Sequence, residues 1–195
     1  SAIPFAYNKI KELETIIQNH DIGVIIMEVI RDQKPEDDFL EKVRSLATKY
    51  NIVLIFDEIT SGFRQNMGGI HLSYGVNPDM AIFGKALGNG YAISAVMGKK
   101  EVMEDAQSSF ISSTFWSERI GPAAALKTIE IMKSDNIPEL ITQYGGYINE
   151  NWQRLGERHG FDLQVNGLPS LTHFSFGSSN ELIYKTLITQ EMLKK

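Results

Sequence analysis

Residues 52–58 read IVLIFDE, an unbroken apolar run closed by two acids. A run this short, rich in β-branched residues and ended by charge, is the pattern of a strand buried on both faces, as in a parallel sheet. Residues 22–29, IGVIIMEV, show the same pattern earlier in the chain. Between them, Phe39, Val43, Leu46, Ala47 and Tyr50 recur at helical spacing over residues 35–50. Pro35 suits the first turn of that helix, and Glu36, Asp37 and Asp38 suit the positive end of its dipole. Strand, helix and strand together predict a right-handed βαβ unit with parallel strands. The fold class that follows is α/β, a mostly parallel sheet with helices.

Working outward, residues 8–20 read as a helix with Ile10, Leu13, Ile16 and Ile17 on one face. MAIF at 80–83 is a short strand running into GKALGNG at 84–90, a stretch too glycine-rich for regular structure. Residues 93–97 read as a further strand and 99–106 as a short helix. Residues 122–133 and 138–159 read as long helices, the second weakened by Gly145-Gly146. From Phe161 the pattern changes: 162–165 and 170–176 alternate as half-exposed strands, and 180–195 read as a helix. A boundary near 134–138 divides a sheet domain, residues 1–134, from a smaller α+β unit, residues 135–195. The abrupt start and the uncapped last helix lead us to expect an excised piece of a longer chain.

Composition narrows the function. Against 24 acidic residues stand 19 Lys+Arg, and the net charge of −5 argues against a nucleic-acid-binding chain. With no cysteine, disulfide frameworks, thiolate metal sites and cysteine nucleophiles are excluded, and a cytoplasmic location is expected. The longest apolar runs, 24–27 and 52–56, fall far short of the roughly 20 residues of a membrane span. His71, His159 and His173 show no ligand spacing, so no metal site is expected.

Three features lie at strand ends. Asp57-Glu58 follows the buried run, where α/β sheets place their ligands. Lys85 follows MAIF between glycines; held there in a dry cleft, its amine becomes nucleophilic. Ser112, Ser113 and Thr114 form a hydroxyl cluster before a helix start, a natural anion site. Pyridoxal phosphate needs this set: a lysine for a Schiff base, an acid for its pyridinium nitrogen and donors for its phosphate. Plainer readings compete. A solvated loop lysine, a helix cap and a structural Glu58–Arg64 ion pair account for the same residues. IVLIFDE also resembles the Walker B strand of an ATPase. The matching phosphate loop fails, however, because Ala86 follows Lys85 and Asp79 stands where the first glycine belongs.

IVLIFDEITSGFR at 52–64, followed by PDMAIFGKALGNGYAISAVMG at 78–98, resembles the class III (ω-type) pyridoxal-phosphate aminotransferases of fold type I. Within these, the nearest subgroup is glutamate-1-semialdehyde aminomutase and its aminotransferase relatives. The resemblance runs from about Pro4 to the end of the chain. It implies the C-terminal part of the large domain joined to part of the small domain, in a homodimeric enzyme acting on a small amino or keto substrate. Lys85 would form the Schiff base with pyridoxal 5′-phosphate and shuttle the proton. Asp57 would pair with the ring nitrogen, and Ile59 would pack on one ring face. Thr114 would bind the cofactor phosphate of the neighbouring subunit. Glu58 and Arg64 would be supports.

Two departures from the family pattern carry expectations. Where many aminomutases have a Ser-Gly-Asn-Pro turn, this chain has Phe115-Trp116-Ser117-Glu118-Arg119-Ile120-Gly121-Pro122. Trp116 and Arg119 then either contact substrate or cap and pack the next helix. Family members are also about twice this length, and the main phosphate loop and the stacking aromatic lie in the half not represented. The isolated chain is therefore expected to be catalytically silent and to bind the cofactor weakly. Two readings outside amino transfer remain beside this one: an ATPase fragment using Asp57-Glu58, and a non-catalytic interaction module on an aminotransferase fold.

Overall fold

A computed structural model describes residues 2–112 and 114–194. Helix α1 (Ile10–Asn19) leads into strand β1 (Val24–Glu28), helix α2 (Phe39–Lys49) and strand β2 (Val53–Asp57). Strands β3 (Met80–Phe83) and β4 (Ala95–Gly98) follow, then the short helix α3 (Lys100–Met103). Helices α4 (Ile120–Ser134) and α5 (Ile137–His159) come next. Strands β5 (Leu163–Asn166) and β6 (His173–Phe176) and helix α6 (Glu181–Met192) complete the order. One sheet runs β1-β2-β3-β4, with β1, β2 and β3 parallel and β4 antiparallel to β3. Strands β5 and β6 form a separate antiparallel pair. The alternation of apolar runs and helices thus gives the mixed α/β fold that the sequence predicts.

Helices α1 and α2 cover one face of the sheet. Ile25, Met27, Leu54 and Phe56 share that face and pack with Leu13 and Ile17 of α1 and Leu40, Val43 and Ala47 of α2. The opposite face is open. Val24 and Ile26 are 52% and 55% exposed, so β1 is buried on one face and not on both. A continuous apolar run reports two apolar faces; it does not report what covers them.

Helix α2 starts at Phe39, later than the proline and acids predict. Asp37 and Asp38 take left-handed backbone (φ 49° and 55°), a conformation Asp tolerates, and form a turn ahead of the helix. Leu40, and not the exposed Tyr50, completes its buried face. The 84–90 stretch is more regular than its composition predicts, since Lys85–Leu87 form a 3₁₀ turn. Gly88 is there for close approach: a Cβ would collide with the carbonyl oxygen of Tyr91. Helix α5 likewise runs unbroken through Gly145-Gly146, because Gly145 lets the carbonyl of Pro169 press against the helix.

One charged cluster ties the sheet to its surroundings. Asp79, just ahead of β3, accepts hydrogen bonds from the Leu54 amide (2.8 Å), Arg44 of α2 (2.8 Å) and Lys99 beyond β4 (2.7 Å). Burial pushes its carboxyl up, but the Leu54 amide and the two cations outweigh that and hold it at about 2. No helix among the described residues is long and apolar enough to cross a membrane.

Candidate active site

Strands β2 and β3 are parallel neighbours, with Asp57 opposite Ile82 in their register. Their C-terminal ends therefore place Asp57 and, just past Phe83, Lys85 at the same edge of the sheet. Open α/β sheets bind ligands at that edge. Asp57 is half-buried on the open face. Its Oδ1 accepts the Ile59 amide at 3.0 Å, which turns the chain beyond the strand and fixes the carboxylate. Its Oδ2 has no hydrogen-bond partner among the described residues.

Lys85 adopts left-handed backbone (φ 43°), a conformation that costs a non-glycine residue about 1 kcal/mol or more. The surrounding turn enforces it: the amides of Gly88 and Asn89 both donate to the Lys85 carbonyl, at 3.1 and 3.0 Å. Its Nζ donates to Thr60 Oγ1 at 2.7 Å, and no carboxylate pairs with it among the described residues. The side chain is exposed, so this chain alone does not form the dry cleft that the sequence predicts around the lysine.

Glu58 does different work from Asp57. It is fully buried, because the strand alternation turns it toward the core. Its carboxylate accepts Ser61 Oγ (2.5 Å), the His71 amide (2.9 Å) and His71 Nδ1 (2.8 Å). Burial pushes this carboxyl up; the bonds from His71 and Ser61 and the Ile70 amide outweigh it and keep the group low. Glu58 thereby clamps the 59–69 loop and the Ile70–Tyr74 turn beneath the strand end. The Glu58–Arg64 ion pair considered from sequence does not form. Arg64 instead donates from Nε to the Thr60 carbonyl at 2.6 Å, and burial pulls its guanidinium below the ordinary arginine value.

The remaining sequence-predicted residues are spread more widely. Ile59 lies against Gly84, within contact distance of the position a Cβ there would take (3.4 Å), so it borders the backbone that presents Lys85. Thr114 is exposed and makes no hydrogen bond to Asp57 or Lys85, while Ser113 lies outside the described residues. The hydroxyl cluster does not abut a helix start, because α4 begins only at Ile120 with Arg119 as its cap residue. Trp116 is 70% exposed and packs into no core. A cleft of about 800 Å³ opens between the 86–91 turn and helix α4, lined by Phe63, Arg64, Ala86, Asn89, Ile120 and Lys127 among others. Neither Asp57 nor Lys85 lines it. Thr60, Ser61 and His71 escape a sequence reading. Only the rule that a buried acid needs several donors points toward such partners, and it does not say which they are.

The donor set fits pyridoxal phosphate. A lysine held by a neutral hydroxyl, a carboxylate oxygen left free on the neighbouring strand end and the apolar Ile59 against Gly84 are the kinds of group that the cofactor's aldehyde, ring nitrogen and ring face require. A nucleotide phosphate loop does not fit, because β3 runs into a three-residue 3₁₀ turn and not into a helix. Fold and strand-end residues together define a class: open α/β chains that carry a lysine and a carboxylate at one sheet edge.

Comparison with known proteins narrows the class. The family model for class-III aminotransferases matches residues 3–189, and the chain belongs to that family. It is 38% identical to a 3-aminobutyryl-CoA aminotransferase of Cloacimonas acidaminovorans, over 95% of this chain and 47% of that protein. It is 32% identical to a glutamate-1-semialdehyde 2,1-aminomutase of Sulfolobus acidocaldarius, over 88% of this chain and 43% of that protein. The chain thus spans about half the length of the curated relatives it matches. Among solved structures, FumI of Sphingopyxis sp. MTA144 in its PLP internal aldimine form superposes with a TM-score of 0.82 at 24% identity, covering 90% of this chain and 44% of that one. An ornithine aminotransferase of Plasmodium yoelii superposes with a TM-score of 0.77, also at 24% identity, covering 88% of this chain and 48% of that one. These superpositions establish the fold.

Proposed function

We propose that the full-length protein is a pyridoxal-phosphate-dependent enzyme that moves an amino group to or from a small amino or keto substrate, with Lys85 as its Schiff-base residue. The observation that carries this reading is the placement of Asp57 and Lys85 beyond neighbouring parallel strand ends, at one edge of the sheet. Held by Lys85 and Asp57, pyridoxal phosphate would supply an electron sink for the bond that breaks at the amine-bearing carbon. Asp57 keeps the ring nitrogen protonated, since an adjacent negative charge favours the charged form. The Lys85 amine would serve as the base that takes the proton from that carbon and later returns it. Ile59 holds one face of the ring.

Thr114 sits on an exposed segment with Phe110 (97% exposed), Ile111, Phe115 and Trp116. That exposure supports a role across a homodimer interface, where Thr114 reaches the cofactor phosphate of the second subunit and Trp116 and Arg119 border the substrate. The exposed Lys85 supports the same reading, because the walls that dry the site are then supplied by the rest of the protein and its partner. The 195-residue chain by itself is accordingly inactive. The 3-aminobutyryl-CoA aminotransferase relative supports intermolecular transfer from a β-amino compound, and the aminomutase relatives support an internal shift.

The test is transfer of ¹⁵N from a labelled amine donor to a keto acceptor by the full-length protein, with and without Lys85→Ala. General acid–base and covalent roles for Lys85 lead us to expect a drop of about 10³-fold or more. Transfer that persists unchanged in the variant refutes the assignment.

A further inference from the structure

We propose that Thr60 is a positioning residue that holds the free Lys85 amine at the sheet edge in both of its protonation states. The inference rests on the Schiff-base role proposed for Lys85.

Thr60 is fixed from both sides. Its own carbonyl accepts Arg64 Nε at 2.6 Å, and the next residue, Ser61, is tied to the buried Glu58 at 2.5 Å. The hydroxyl is thus presented from a clamped loop. Lys85 is fixed too, because its left-handed backbone is held by the amides of Gly88 and Asn89. Two constrained backbones bring Thr60 Oγ1 and Lys85 Nζ to 2.7 Å.

The chemistry of the partner matters more than the distance. A lysine that moves a proton must be held equally well as ammonium and as amine. A carboxylate beside it would favour the ammonium and resist deprotonation. A backbone carbonyl accepts but cannot donate. A hydroxyl does both: it accepts from the ammonium and, after rotating about its C–O bond, donates to the amine lone pair. Among the described residues, Lys85 has the hydroxyl and no carboxylate. Thr60 therefore orients the amine without biasing its charge, and its methyl group limits the hydroxyl to few rotamers.

The experiment uses the full-length protein stripped of cofactor. Capture of added pyridoxal phosphate is followed by absorbance across a pH series, and the captured lysine is identified by borohydride reduction and peptide mapping. For Thr60→Val we expect the plateau capture rate, where the amine is neutral, to fall about fivefold, the scale of one hydrogen bond between uncharged groups, with the midpoint of the pH profile unmoved. Thr60→Ser should restore the rate to within about twofold, since it returns the hydroxyl. A merely structural role lowers thermal stability and leaves the plateau rate of the folded fraction intact. Thr60→Ala carries the same expectation as the valine if the valine does not fold. A wild-type plateau rate in both variants overturns the proposal, and so does a shifted midpoint with an intact plateau, which makes Thr60 a pKa-setting group. Failure of the wild-type protein to label at Lys85 is a different result, and it overturns the Schiff-base reading itself.

Discussion

Asp57 and Glu58 are adjacent acids with opposite fates, and the pleat of β2 separates them. One reaches the open face with a free oxygen; the other is buried and saturated with donors. Glu58→Ala leaves His71, Ser61 and two amides without their acceptor. We expect it to destabilise the chain by roughly 3–5 kcal/mol in urea titration, and a loss under about 1 kcal/mol would show that the clamp is dispensable. Asp79 offers a second residue-scale check. Its carboxyl titrates at about 2 when folded, below the unperturbed 3.8, so the unfolded chain binds the proton more readily. Its contribution of about 2 kcal/mol is complete above roughly pH 5 and is lost as pH falls through the folded value. Asp79→Asn should flatten the acid limb of the stability profile, and an unchanged limb would show that another group carries it. At this scale the sequence is partly legible. The strand-end positions of Asp57 and Lys85 can be read because each follows an apolar run. Thr60 and His71 cannot, because their partners lie across a loop whose path no local pattern encodes.

Elements follow the apolar periodicity closely where the helices and strands are regular. MAIF at 80–83 forms β3 as read, and α1, α4 and α5 end within a few residues of their predicted limits. Departures occur where a backbone takes an unusual conformation. The left-handed Asp37 and Asp38 delay α2, and the close approach at Gly88 allows a 3₁₀ turn within a glycine-rich stretch. That turn carries Lys85, on which the proposed site depends. Gly88→Ala pushes a methyl group into the Tyr91 carbonyl and must move the turn that presents Lys85. In the full-length protein we expect it to weaken cofactor retention by about tenfold or more while leaving Lys85 chemically intact, as measured by equilibrium dialysis. Wild-type retention would mean that the turn tolerates displacement.

On the scale of the whole molecule, the open sheet face decides behaviour. Val24 and Ile26 are more than half exposed, and Val96, on the same face of the edge strand, is 49% exposed. Apolar surface of this kind, beside an unpaired strand edge, favours association. The 195-residue chain purified alone should self-associate in analytical ultracentrifugation and show no amino transfer. A monomer that turns over would contradict both expectations. Strand–helix alternation makes the class of fold legible in the sequence, but an apolar run reports two apolar faces without saying what covers them.

The most direct test of the account is to map the lysine that captures the cofactor. The full-length protein is mixed with pyridoxal phosphate, reduced with borohydride and digested, and the modified peptide is identified by mass spectrometry. The strand-end geometry requires selective labelling of Lys85, lost or strongly reduced in Asp57→Ala. Labelling scattered over surface lysines, or labelling at Lys85 indifferent to Asp57, would contradict the pairing on which the proposed function rests.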